Sequence, residues 1–87
     1  MESYRLLIKT SARKELEAIG GKSDRQRVAR RIETLASQPR PPGCEKLGGS
    51  DDRYRVRQGS YRVVYEVEDA EGTVTVVKIG HRSEVYR

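Results

Sequence analysis

The hydrophobic period of this chain changes once, at a proline-rich segment, and that change limits the folds open to it. Before Gln38 apolar residues recur at three- and four-residue spacings, as along one side of a helix; beyond Gly43 they alternate, as on one face of a strand. Pro39, Pro41 and Pro42 can neither continue a helix nor donate to a strand ladder, so residues 38–43 are expected to be an extended connection. The expected architecture is α+β: an N-terminal strand, a helical hairpin, and an antiparallel meander whose apolar face the helices cover. At 87 residues there is apolar surface for one small core, so residues 1–87 are expected to form a single domain.

Tyr4–Ile8 reads as the first strand, rich in branched and aromatic residues, and its pairing is left open. Thr10 or Ser11 can cap a first helix, in which Ala12, Leu16 and Ile19 form an apolar stripe. Gly20 and Gly21 are expected to stop it by a left-handed turn. A second helix is expected from near Asp24 to about Ser37, capped by Ser23 or Asp24. Val28, Ile32 and Leu35 lie on its inner face, and Arg25, Arg27, Arg30 and Arg31 lie opposite. The meander then comprises Glu45–Leu47, Arg53–Arg57, Tyr61–Glu68 and Thr73–Ile79, with turns at residues 58–60 and 69–72. Tyr4, Tyr61 and Tyr65 are expected to pack inward.

Charged residues (36%) outnumber hydrophobic ones (34%), as in disordered chains, but the periodic clustering of valine, leucine and isoleucine argues for a fold. The net charge of +5 is unevenly placed. Residues 1–50 hold eleven Lys/Arg against six Asp/Glu, and residues 51–87 hold seven of each. Within that neutral half Arg53, Arg55, Arg57 and Arg62 precede Glu66, Glu68, Asp69 and Glu71, so a local positive field suited to phosphates is expected. The same field suits an acidic protein partner. Cys44 is the sole cysteine, which rules out an internal disulfide and fits a reducing cytoplasm. The first fifteen residues carry Glu2, Arg5 and Lys9 and no long apolar run, so neither a signal segment nor a membrane partner is expected.

Arg53, Arg55 and Arg57 occupy alternate positions of one expected strand. Their guanidiniums would stand about 6.6 Å apart, near the phosphate spacing of an extended single strand. Each donates up to five hydrogen bonds and stays charged, so the row can grip phosphate, dock an acidic partner, or form only a solvated face. Arg62, on the next strand, is expected to point outward with Arg55 and Arg57. Arg13 and Lys14 on the first helix, with Arg25, Arg27, Arg30 and Arg31 on the second, add a basic surface for RNA. The tail 80–87 follows the last strand and holds His81, the only histidine. Its ordinary pKa near 6.5 suits proton exchange at neutral pH. Tyr86 can stack on a base, share in proton transfer, or anchor the tail.

A transition-metal or two-metal site is not expected, because there is one histidine, one cysteine, and no paired carboxylates on separate elements. Gly48-Gly49 lack the lysine and helix of a nucleotide loop, and no cofactor is expected. Metal-free cleavage of RNA would use the substrate's own 2′-OH, with positive charge around the phosphate.

The segments Glu45-Lys46-Leu47-Gly48-Gly49, Tyr54-Arg55-Val56-Arg57, Gly59-Ser60-Tyr61-Arg62-Val63-Val64-Tyr65 and Ile79-Gly80-His81-Arg82-Ser83-Glu84-Val85-Tyr86, in that order, resemble the RelE-type members of the RelE/ParE toxin superfamily. The resemblance spans essentially the whole chain. It implies the toxin of a type II toxin–antitoxin pair, a ribosome-dependent endoribonuclease that cuts messenger in the A site and leaves a 2′,3′-cyclic phosphate and a 5′-OH. The implied active surface comprises Arg55, Arg57, Arg62, a basic residue at His81 or Arg82, and Tyr86. The implied partners are a cognate antitoxin and the ribosome with its messenger, with no stable DNA complex of the toxin alone. Two departures stand out. Arginine replaces the lysine common at the strand pair, and arginine is a poor general acid. The loop before Ser83 is also shorter than in some members, so either His81 or Arg82 can occupy the phosphate-contacting position. The competing readings are a gyrase poison of the ParE type and a non-catalytic RNA- or ribosome-binding module.

Overall fold

The computed structural model describes residues 3–48 and 52–81. Strand β1 (Arg5–Ile8) leads into α1 (Thr10–Glu17) and α2 (Lys22–Thr34). After the proline segment come β2 (Glu45–Lys46), β3 (Arg53–Gln58), β4 (Tyr61–Glu68) and β5 (Thr73–His81). All five strands form one sheet in the order β1-β5-β4-β3-β2. From β2 to β5 every neighbour is antiparallel, as the alternating pattern predicts. β1 is the exception, lying parallel to β5 with Arg5 opposite Thr73 and Ile8 opposite Val76. Parallel neighbours need a long crossover, and everything between β1 and β5 supplies it.

The expected stripes become the core. Ala12 and Ile19 from the first helical segment and Val28, Ile32 and Leu35 from the second meet Tyr54, Val56, Val63, Tyr65, Val67, Val74, Val76 and Ile79. Most of these are fully enclosed, and burying each valine or isoleucine is worth roughly 1.5–3 kcal/mol. Tyr65 is wholly buried and satisfies its hydroxyl on the Pro39 carbonyl at 2.7 Å, while burial pushes its phenol well above the usual range. Its ring stacks on Tyr54, with centroids 5.9 Å apart.

The helix ends differ from the capping residues the sequence offered. Thr10 lies inside α1, whose N-cap is Lys9 without a side-chain bond. Helix α2 begins at Lys22, after extended Gly21, and Asp24 falls in its first turn, where a carboxylate meets the positive end of the helix dipole. No left-handed glycine terminates α1: Gly20 and Gly21 keep negative φ, and Arg25 closes the turn by donating to the Ile19 carbonyl at 3.1 Å. Beyond Thr34 the chain tightens, Leu35, Ala36 and Ser37 each bonding three residues back. The expected helical stripe therefore outlasts the α-helix itself.

The proline segment is fastened rather than loose. Arg40 forks onto Asp69 with bonds of 3.2 and 2.9 Å, donates to the Tyr54 hydroxyl at 2.9 Å, and lies 5.2 Å over that ring. Tyr4 adds a 2.6 Å bond to the same aspartate. Arg40, then Tyr4, hold the Asp69 carboxyl below the usual carboxylate range. These contacts lock the β4–β5 turn, where Gly72 takes a left-handed φ of 67°, to the start of the chain. Among the described residues no helix is long and apolar enough to cross a membrane.

Candidate active site

Alternation along β3 places Arg53, Arg55 and Arg57 on the sheet face away from the helices, because Tyr54 and Val56 between them are in the core. Gly59, at φ 60°, turns the chain, and Arg62 of β4 comes directly opposite Arg57. On its other side Arg62 faces Gly80 of β5. Two guanidiniums thus stand side by side across strands, an arrangement that repels unless an anion lies nearby.

Acids temper the row. Glu45, across from Arg55 on β2, accepts from its Nε at 3.1 Å and from its Nη2. The Arg55 hydrogen bonds, its charge, and then the charges of Arg57 and Arg62 hold the Glu45 carboxyl below the usual range, so three guanidiniums act on one carboxylate. Arg53 pairs with Glu66 of β4 at 2.5 Å. The arginine block and the acidic block separated in sequence are therefore partly joined across strands.

An evenly solvated arginine face is not what forms. Arg57 is exposed, Arg53 and Arg55 are half-buried, and Arg62 is only 6% exposed. Long guanidinium side chains lie along a sheet and cover one another, which a strand pattern cannot reveal. The expectation that Arg62 shares the face of Arg55 and Arg57 holds; the expectation that it stands in solvent does not.

Strand β5 runs two residues past the expected Ile79 and takes in Gly80 and His81. His81 is paired with Tyr61, and their rings meet edge to face at 5.7 Å. Paired residues share a face, and Tyr61 packs against the core, so His81 stands on the helix side of the sheet, away from Arg57 and Arg62. There it lines a hollow of about 320 Å³ with Glu15, Ile19, Tyr61 and Ile79. The structure brings Arg55, Arg57 and Arg62 together and leaves His81 apart. Arg82 and Tyr86 lie outside the described residues.

The helix arginines divide as well. Arg25 is committed to the Ile19 carbonyl. Arg27, Arg30 and Arg31, with Thr34 and Gln58, line a second hollow of about 220 Å³ that contains no carboxylate and reaches the β3–β4 turn beside Arg57. Arg13 and Lys14 are exposed on α1. Glu45, Glu15 and Gln58 were not picked out by sequence reasoning. Their places follow from cross-strand register and helix docking, and for Glu45 the only advance signal is an acid in the short segment before Leu47. Among the described residues no three His, Cys, Asp or Glu side chains gather as metal ligands would.

Residues 6–86 match the family described as the ParE toxin of type II toxin–antitoxin systems, parDE. A putative RelE-like toxin protein of Escherichia coli is 31% identical over 87 residues, covering 95% of this chain and 90% of that protein. Among solved structures, a mutant of the E. coli toxin RelE in the free state superposes with a TM-score of 0.78 at 32% identity, covering 97% of this chain and 90% of that one. The RelE of the archaeal RelE–RelB complex from Pyrococcus horikoshii OT3 superposes with a TM-score of 0.82 at 29% identity, over 94% and 98%.

Proposed function

Because this chain belongs to the RelE-like branch of the RelE/ParE toxin superfamily and is the toxin of a type II toxin–antitoxin system, we propose that it is a metal-independent endoribonuclease that enters the ribosomal A site and cuts messenger there. Its protein partner is a cognate antitoxin, the relation seen in the RelE–RelB complex it resembles. The observation that carries the nuclease reading is the cross-strand pair Arg57 and Arg62, with Arg55 beside them, on one face of the sheet.

In the reaction the substrate's 2′-oxygen attacks phosphorus as it loses its proton. The 5′-oxygen leaves and gains a proton, yielding a 2′,3′-cyclic phosphate and a 5′-OH. Arg57 and Arg62 bind the phosphate oxygens on which charge grows, and Arg55 supports them from its place against Glu45. Arginine stays protonated, so these residues supply charge and not proton transfer. Tyr86 takes the proton-transfer role. Since His81 faces the helices, Arg82 is the residue of the His81-Arg82 pair assigned to phosphate. Arg27, Arg30 and Arg31, together with Arg13 and Lys14, attract ribosomal RNA, and residues 1–87 act as one toxin domain.

Primer extension on messenger from programmed ribosomes tests this reading, with gyrase and plasmid DNA incubated in parallel. Cuts within the A-site codon support it. Trapped double-strand breaks in plasmid with intact messenger would establish instead the gyrase activity that the ParE description of the matching family suggests. Ribosome binding without a cut at any codon would reduce the protein to a binding module.

A further inference from the structure

On the side of β5 that faces β1, strand pairing stops early. β1 reaches only to Ile8, opposite Val76, and the Lys9 amide adds one last bond to the Val76 carbonyl at 3.0 Å. β5 continues for five more residues, through His81. Just where its neighbour ends, β5 bulges: Val76 pairs with Tyr65 and Lys78 with Val64, which leaves Val77 as the extra residue. A bulge weakens pairing and redirects the strand, so the segment 78–81 needs another restraint on its open side. Glu15 of α1 supplies it. Its Oε1 accepts the Ile79 amide at 2.8 Å across 64 positions of sequence, and its Oε2 lies 3.4 Å from Lys78 Nζ.

We infer that Glu15 is a positioning residue for cleavage, a side chain standing in for a missing strand neighbour and setting how the end of β5 lies against Arg62. Resting on the nuclease reading, the inference explains how a strand that has no β1 neighbour beyond Val76 still places Gly80 beside Arg62. A charge on α1 is not otherwise needed there, because the exposed face of that helix already carries Arg13, Lys14 and Glu17. The bond to an amide requires an acceptor at Oε1, and a carboxamide offers one as well. Lys78 contacts the other oxygen, so the ion pair and the amide bond can be removed separately.

The test compares Glu15→Ala, Glu15→Gln and Lys78→Ala in the full chain by two measurements. The first is single-turnover messenger cleavage at saturating ribosome. The second is amide hydrogen exchange of the isolated toxin. Glu15→Ala should cut about 10- to 100-fold more slowly, the scale of a misplacement of about 1 Å, while binding ribosomes within about 2-fold of the parent. Its Ile79 amide should exchange faster, while those of Val63 and Val74 stay protected. Glu15→Gln should restore both readouts to within about 3-fold, and Lys78→Ala should move neither. Unchanged Ile79 protection in Glu15→Ala overturns the inference, as does parental cleavage. A Gln variant as slow as Ala overturns it too, by showing that charge and not the acceptor matters. A parent toxin that leaves messenger intact refutes the nuclease reading instead, and with it positioning for cleavage; the role of Glu15 in holding the strand is then judged by exchange alone.

Discussion

The strand arginines and the helix arginines of this toxin have the same chemistry and opposite surroundings. On the sheet Arg53 is held by Glu66 and Arg55 by Glu45, and Arg62 is buried beside exposed Arg57. On α2 the guanidiniums of Arg27, Arg30 and Arg31 border a hollow without a carboxylate. Holding a guanidinium in one orientation costs side-chain entropy, and when that cost is met in folding it need not be met again at the transition state. Guanidiniums that border no carboxylate attract RNA over a Debye length but are not aimed at one phosphate. The contrast suggests that a row of like residues can be divided into aimed and merely attractive members by asking which have acids within reach.

The sharpest way to break that contrast is to remove an arginine from each group. Arg57→Ala and Arg62→Ala should each slow single-turnover cleavage at saturating ribosome by about 30- to 1000-fold, equivalent to roughly 2–4 kcal/mol at the transition state. Simultaneous replacement of Arg27, Arg30 and Arg31 by alanine should leave that rate nearly intact. Ribosome affinity should instead weaken by about 10-fold or more at low salt, with a shallower dependence of log affinity on log salt. Equal losses of rate at both places would erase the distinction.

A smaller effect concerns the acid that holds Arg55. Glu45→Gln removes the charge that competes with phosphate and should raise RNA affinity about 2- to 5-fold at low salt, the scale of one exposed ion pair. Cleavage should slow at the same time by about 3- to 10-fold, because a carboxamide holds the Arg55 guanidinium less firmly; an unchanged rate would show that Glu45 tempers Arg55 without aiming it.

Stability provides a control far from both groups. Arg40 and Tyr4 hold the Asp69 carboxyl below its unfolded value, so its contribution is fully present above about pH 4 and fades as pH falls through the depressed folded value. Asp69→Asn should therefore lower the thermal midpoint at pH 7 by more than at pH 2, as followed by circular dichroism, and leave cleavage at neutral pH little changed. An equal loss at both values would mean that the carboxylate charge is not what fastens the turn.

The sequence made the inner face of the molecule legible and the outer face only partly so. Val28, Ile32 and Leu35, or Val63, Tyr65 and Val67, declare their burial by spacing, because spacing fixes which residues share a face. Arg55, Arg57 and Arg62 could likewise be placed on one face. The burial of Arg55 and Arg62 could not, since it depends on how side chains lie across strands, and the place of Glu45 against Arg55 is a matter of register between segments ten residues apart. Valine-rich patterning ends before His81 and places it in a tail, yet hydrogen bonding carries β5 two residues further and its pairing with Tyr61 decides its side. Helix ends were misplaced where tertiary contacts replaced local caps, as when Arg25 closed the turn expected of Gly20 and Gly21.

The place of β5 bears on how this protein comes into being. Strand β1 depends on β5 for every rung of its ladder, and β4 depends on it for one of its two edges. A growing chain that has not yet delivered residues 73–81 holds the helices and β2–β4, but its sheet lacks the strand that joins the two sides. Such a chain has a lone N-terminal ribbon and an apolar surface where Val74, Val76 and Ile79 belong. Contacts this distant in sequence form slowly, because loop-closure entropy is spent before they are made. Folding is thus deferred until residues 73–81 have been made. During that interval the nascent toxin is exposed to capture by a partner or to proteolysis before it can be harmful.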